Sequence, residues 1–149
     1  QGDEPFLVPD QIDLLCKTLT SSRLPIATLL KPLRHVSQLE SRDTVKVVID
    51  HEQNALYFSR FPIPYNRSLT DTAQWVEKNL YYLHLGIYGF ERKVLLEIPK
   101  MKPSMMEQAE SLEQLRWLAN GYKIRTAVTQ SSSISVDTPQ DLHDLLENL

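Results

Sequence analysis

With 149 residues, 42% hydrophobic and 23% charged, the chain is long enough for one domain with a sizeable core and too short for two ordinary ones. Its net charge of −3, with acids and bases interleaved, leaves no strongly basic face for duplex nucleic acid, and no apolar run reaches membrane-spanning length. A single cysteine excludes an internal disulfide and fits a reducing compartment, and the acidic start QGDEP does not read as a signal peptide, so a cytoplasmic location is expected.

Residues 1–5 read as a turn. The absence of an initiator Met and the start inside a loop predict that the amino-terminal part of a larger protein precedes it. Pro9 and Asp10 open a helix whose apolar side carries Ile12, Leu15, Cys16 and Leu19, which places Cys16 in the core. Residues 26–30, IATLL, read as a strand, and Val36–Glu40 as a helical turn. The β-branched run 45–50 turns back at 51–54 into Ala55–Ser59, the clearest hairpin in the sequence. Residues 66–74 read as a loop, with a short helix at 75–78. The aromatic run 81–90 is a strand, in which Gly86 and Gly89 predict a close approach by a backbone or a ligand. Residues 91–99 return to helical spacing. Ser104 and Glu107 form an S-x-x-E capping box for one helix bearing Met105, Ala109, Leu112, Leu115 and Ala119 and ending at Gly121. Ile124–Val128 is a strand, and Thr138-Pro139 start a last helix with a leucine stripe. Mixed elements in this order argue an α/β fold with at least one antiparallel hairpin.

The stretch 55–65, ALYFSRFPIPY, delivers Arg60 to the end of a strand that Pro62 and Pro64 stop. Its planar fork of donors suits a carboxylate or a phosphate, and a structural ion pair is the competing reading. Asp3 sits where a loop leaves a preceding strand, and Asp137 just before a helix start. Together they could hold a hard cation such as Mg2+, although Asp137 also reads as a simple cap. His84 and Tyr88, four apart on a strand, project from one face, with Gly86 pointing to the other. They could hydrogen-bond a polyhydroxylated ligand or be satisfied by neighbouring backbone. Glu113 and Gln114 read as a solvated helix face. His35, His51 and His143 lack metal-ligand spacing, and there is no phosphate-cradling glycine loop.

In order, QGDEP at 1–5, ALYFSRFPIP at 55–64, HLGIYGF at 84–90, PSMMEQAESLEQLR at 103–116 and VDTPQDL at 136–142 resemble the 3-deoxy-manno-octulosonate cytidylyltransferase (CMP-Kdo synthetase) family. The resemblance implies a partial nucleotidyltransferase, Rossmann-like fold. Residues 1–149 would then form one domain, the carboxy-terminal, sugar-acid-binding and dimerising part of a cytidylyltransferase. It implies transfer of CMP from CTP to the sugar acid Kdo with release of diphosphate, for lipopolysaccharide assembly, by a cytoplasmic homodimer. Asp3 and Asp137 would bind Mg2+, Gln1 and Arg60 would lie in the sugar site, and His84, Tyr88, Glu113 and Gln114 would contact hydroxyls. The family's nucleotide-binding loop has no counterpart here, and Ser135 stands where the family usually has glycine. An inactive binding and dimerisation module, and an enzyme for another sugar acid such as a sialic acid, are the alternatives.

Overall fold

The computed structural model of the protein describes residues 8–77 and 81–131. Gln1, Asp3, Asp137, Lys78 and the helix expected from Thr138 lie outside the described residues.

Strand β1 (Ile26–Pro32) is the spine of the fold, flanked on both sides by other strands. Ile26, Ala27, Thr28, Leu29 and Leu30 are all fully buried, which is why the strand reads as a near-continuous apolar run rather than an alternation. β2 (Lys46–Ile49) and β3 (Ala55–Ser59) form the expected antiparallel hairpin, closed by Asp50, whose carboxylate accepts from the Asn54 N–H at 2.7 Å. β4 (Tyr82–Phe90) runs antiparallel to β1, and β5 (Ile124–Val128) pairs with β1 in parallel. The sheet order is β3-β2-β4-β1-β5, a mixed α/β sheet as expected.

The two faces of the sheet are covered differently. Helix α1 (Pro9–Ser22) packs Leu14, Leu15 and Leu19 against Ala27, Leu29, Leu85 and Ile87. Leu15 and Leu19 come so close to Gly89 that a methyl there would meet them at 3.3–3.4 Å, so what approaches Gly89 is side chains of α1 rather than the expected backbone or ligand. Cys16 and Ile12 are exposed, contrary to expectation. The stripe facing the sheet instead includes Gln11 and Thr18, which rotates positions 12 and 16 outward. Gln11 is tolerated there because its amide donates to the Ser131 carbonyl at 3.1 Å.

The other face carries Ile26, Leu30, Phe58 and Ile124, packed against Val94 of α4 (Arg92–Glu97) and Leu115 and Trp117 of α6 (Gln114–Ala119), which follows α5 (Met105–Glu110). A smaller cluster around Leu39, Trp75 and Tyr81 holds α2 (Val36–Glu40) and α3 (Thr72–Glu77) at one end.

One expectation needs correction. The single helix expected from Ser104 to Gly121 is two. The capping box forms, with Ser104 Oγ accepting from the Glu107 N–H at 3.1 Å. The chain then leaves the helix at Ser111, whose φ of 54° is left-handed. That conformation costs a non-glycine residue about 1 kcal/mol. Tertiary bonds offset it: the Glu107 carboxylate pairs with Arg116 of α6, Glu110 reaches the end of β3, and Leu112 turns into the core. Met105, expected on the apolar side, is 87% exposed.

Candidate functional site

A cavity of about 560 Å³ opens on the α4–α6 face, bounded by the end of β3, the middle of β4 and α6. Arg60, His84, Tyr88, Glu113 and Gln114 all line it, joined by Gly86, Phe90 and Trp117. Residues more than fifty positions apart in sequence therefore meet in one place.

Arg60 is held from several directions. The Glu110 carboxylate accepts from Ser59 Oγ at 2.6 Å and from the Arg60 N–H at 2.9 Å, and the Glu110 carbonyl accepts from Arg60 Nε at 2.9 Å. Arg60 Nη1 donates to the Arg42 carbonyl at 2.9 Å. The fully buried Lys46 ammonium donates to the carbonyls of Ser41, Thr44 and Arg60 at 2.7, 2.7 and 2.5 Å. Burial lowers the Lys46 pKa, against the raising effect of the Glu110 charge. Among the described residues the ion pair is Glu107–Arg116, and the Arg60 guanidinium pairs with no carboxylate. The geometry thus presents a fixed cation whose Nη2 makes no hydrogen bond within the described residues.

Opposite chemistry lies along β4. A regular strand would separate residues four apart by about 13 Å. The His84 and Tyr88 ring centroids are 5.1 Å apart. The register explains this: Thr28 faces Tyr88 and Leu29 faces Leu85, so Gly86 and Ile87 form a bulge opposite β1. Gly86 lines the same cavity as His84 and Tyr88 rather than the other face, contrary to expectation, because the two-residue alternation of a strand puts the residue midway between them on their side; open space lies where its Cβ would be. Phe58 packs edge-on to His84 at 5.0 Å, and Trp117 edge-on to Tyr88 at 4.8 Å and to Phe90 at 5.1 Å, giving the cavity an aromatic wall.

His84 is neutral: burial lowers its pKa to about 3. Burial first, and the Glu113 charge second, raise the Tyr88 phenol well above its usual range, so it stays protonated. The Tyr88 hydroxyl is buried and has no partner among the described residues. Gln114, expected on a solvated face, is 5% exposed, because the break at Ser111 turns the start of α6 toward the sheet. Glu113 is exposed, as a solvated face requires.

Sequence reasoning missed three residues that hold this site. Thr28 is the lone hydroxyl in a buried strand, Lys46 the lone charge in the apolar run VKVVI at 45–49, and Glu110 a member of a helix read only for its apolar side. A buried charge inside a strand is the signal that could have found Lys46.

The chain matches the family model described as cytidylyltransferase over residues 1–124 and belongs to the cytidylyltransferase family. It is 44% identical over 142 residues to the 3-deoxy-manno-octulosonate cytidylyltransferase of Cytophaga hutchinsonii, covering 95% of this chain and 56% of that protein. It is also 44% identical over 152 residues to the protein of the same name from Porphyromonas gingivalis, covering 100% and 59%. Among solved structures it is similar to CMP:2-keto-3-deoxy-manno-octonic acid synthetase complexed with CTP, with a TM-score of 0.86, 39% identity, and 100% of this chain and 61% of that chain covered. The chain therefore spans less than two thirds of the length of these relatives.

Proposed function

We propose that this chain is the carboxy-terminal, sugar-acid-binding portion of a cytidylyltransferase that transfers CMP from CTP to Kdo and releases diphosphate. The observation that carries the reading is the convergence of a fixed guanidinium, paired with no carboxylate among the described residues, with His84, Tyr88 and Gln114 around one cavity. Arg60 offers a planar donor group to the sugar carboxylate, and the facing groups offer hydrogen bonds to hydroxyls. The relatives' names support this reaction, and the CTP bound to the solved relative supports this nucleotide.

In that reaction the anomeric oxygen of the sugar attacks the α-phosphorus, its proton is lost, and the bond to diphosphate breaks. The contribution of the residues described here is positioning: they fix the acid end of the sugar and so aim its anomeric hydroxyl. Among the described residues no group of three or more His, Cys, Asp or Glu could hold a metal. The proposed Mg2+ ligands are Asp3 and Asp137, whose hard carboxylate oxygens suit that ion. Bound there, Mg2+ would neutralise charge as diphosphate departs. Gln1 is assigned to the sugar site, and Glu113 to the rim. A homodimer, a role in lipopolysaccharide assembly and a cytoplasmic setting belong to the same proposal. No helix among the described residues is long and apolar enough to cross a membrane.

Two measurements test this. Kdo titrated into the chain should quench tryptophan fluorescence, since Trp117 lines the cavity. Joined to the portion of a relative that it does not span, the chain should release diphosphate from CTP and Kdo only with Mg2+ present, and Asp137→Asn should abolish that release. Equal turnover with a sialic acid would replace the proposed substrate, and absence of both binding and turnover would refute the reading.

A further inference from the structure

We infer that Thr28 is a positioning residue that fixes His84 as the Nε2–H tautomer and so leaves Nδ1 as the hydrogen-bond acceptor that the ring presents to a ligand. The naming of that ligand as a sugar acid rests on the proposed function; the tautomer does not.

The inference follows from counting protons. Thr28 is fully buried in the middle of β1. Its Oγ1 lies 2.7 Å from the Ile87 carbonyl, 3.3 Å from the Leu85 carbonyl and 3.0 Å from His84 Nε2. A hydroxyl has one proton, and carbonyl oxygens only accept. That proton goes to the Ile87 carbonyl, the nearest acceptor. The oxygen then meets Nε2 with a lone pair, so Nε2 must carry the hydrogen. A neutral imidazole with hydrogen on Nε2 has its free lone pair on Nδ1. Burial keeps the ring from taking a second proton near neutral pH. Among the described residues Nδ1 has no hydrogen-bond partner, and the ring lines the cavity.

The same hydroxyl holds the bulge. By donating to the Ile87 carbonyl within the bulge it ties the two extra residues of β4 to β1, where Tyr88 lies alongside His84. The cavity therefore has a donor, the Arg60 guanidinium, and a defined acceptor, His84 Nδ1. A ligand whose carboxylate meets Arg60 has to offer a hydroxyl hydrogen to Nδ1. An ether or carbonyl oxygen there would set lone pair against lone pair. Specificity for a hydroxylated acid would thus depend on a residue that the ligand never touches.

The test uses the ¹⁵N-labelled chain and long-range proton–nitrogen correlation spectra at neutral pH, without ligand. His84→Gln identifies the His84 signals among those of the four histidines. The expected result is a protonated Nε2 and a bare Nδ1, kept in Thr28→Ser and lost to a tautomer mixture in Thr28→Val. A wild-type ring with hydrogen on Nδ1, or an unchanged tautomer in Thr28→Val, would overturn the inference. If Thr28→Val does not fold, the wild-type spectrum still decides the tautomer, and Thr28→Ala, smaller and likewise without the hydroxyl, decides whether the hydroxyl is what holds it. Kdo affinity should fall about tenfold in Thr28→Val and stay near wild type in Thr28→Ser. Kdo bound equally by all three would overturn the positioning role. The expected spectrum without Kdo binding to the wild-type chain would instead refute the sugar-acid reading and leave the tautomer standing.

Discussion

Two cavities of nearly equal size lie on this molecule, and they differ in what holds their walls. The first, about 560 Å³, has Arg60 and His84 pinned by Glu110, Lys46 and Thr28, groups mostly buried and far away in sequence. The second, about 570 Å³, lies against the β2–β3 hairpin and Tyr82. Its Leu56 is 58% exposed, and its Asp50 is committed to closing its own turn by bonds to Asn54. Volume does not separate the two. What separates them is that the first spends buried polar groups on orienting other polar groups, while leaving the Tyr88 hydroxyl and Arg60 Nη2 without a partner among the described residues.

Substitutions on the two sides should sharpen that contrast. Arg60→Ala should weaken Kdo binding by about a hundredfold, the loss of a charge-assisted pair, whereas Leu56→Ser in the second cavity should leave affinity unchanged. Calorimetric titration of both variants checks this; equal effects would erase the distinction. Glu110→Ala strands the Ser59 hydroxyl and the Arg60 N–H, and should cost about 2 kcal/mol in urea unfolding together with about tenfold in affinity. Tyr88→Phe removes a buried hydroxyl without a partner among the described residues, so stability should hold or rise while affinity falls about fivefold.

The smallest effect is on pH. The folded His84 pKa of about 3 lies below the ordinary 6.5, so between those values the unfolded chain binds the extra proton. The neutral ring's contribution is complete above about pH 6.5 and is lost progressively as pH falls toward 3. Charges facing the ring across the cavity are Arg60 and Glu113. His84→Gln should flatten this part of a stability profile measured by urea unfolding from pH 7.5 to 4.5.

The strands were legible because burial on both faces leaves continuous apolar runs, as in IATLL, and the hairpin because a β-branched run meets an aromatic one across four turn residues. His84 and Tyr88 sharing a face followed from strand parity. Their 5.1 Å separation did not, since it depends on a hydroxyl of β1 some sixty positions earlier. The helix break at Ser111 was hidden for the same reason: local spacing continues across it, and what accompanies the break is tertiary, the Glu110 bonds to Ser59 and Arg60, the Glu107–Arg116 pair and the burial of Leu112. Cys16 misled because Ile12 and Cys16 continue the spacing of Leu15 and Leu19, whereas the sheet takes the polar Gln11 and Thr18 together with Leu15.

Lys46 has a practical consequence. Its ammonium is sealed from solvent and committed to three carbonyls, one of them Arg60's own. Amine-directed labels should therefore spare it in the intact molecule and mark it only when the corner around residues 41–60 comes apart. Mass spectrometry of that one side chain would then clock how often the grip on Arg60 lets go.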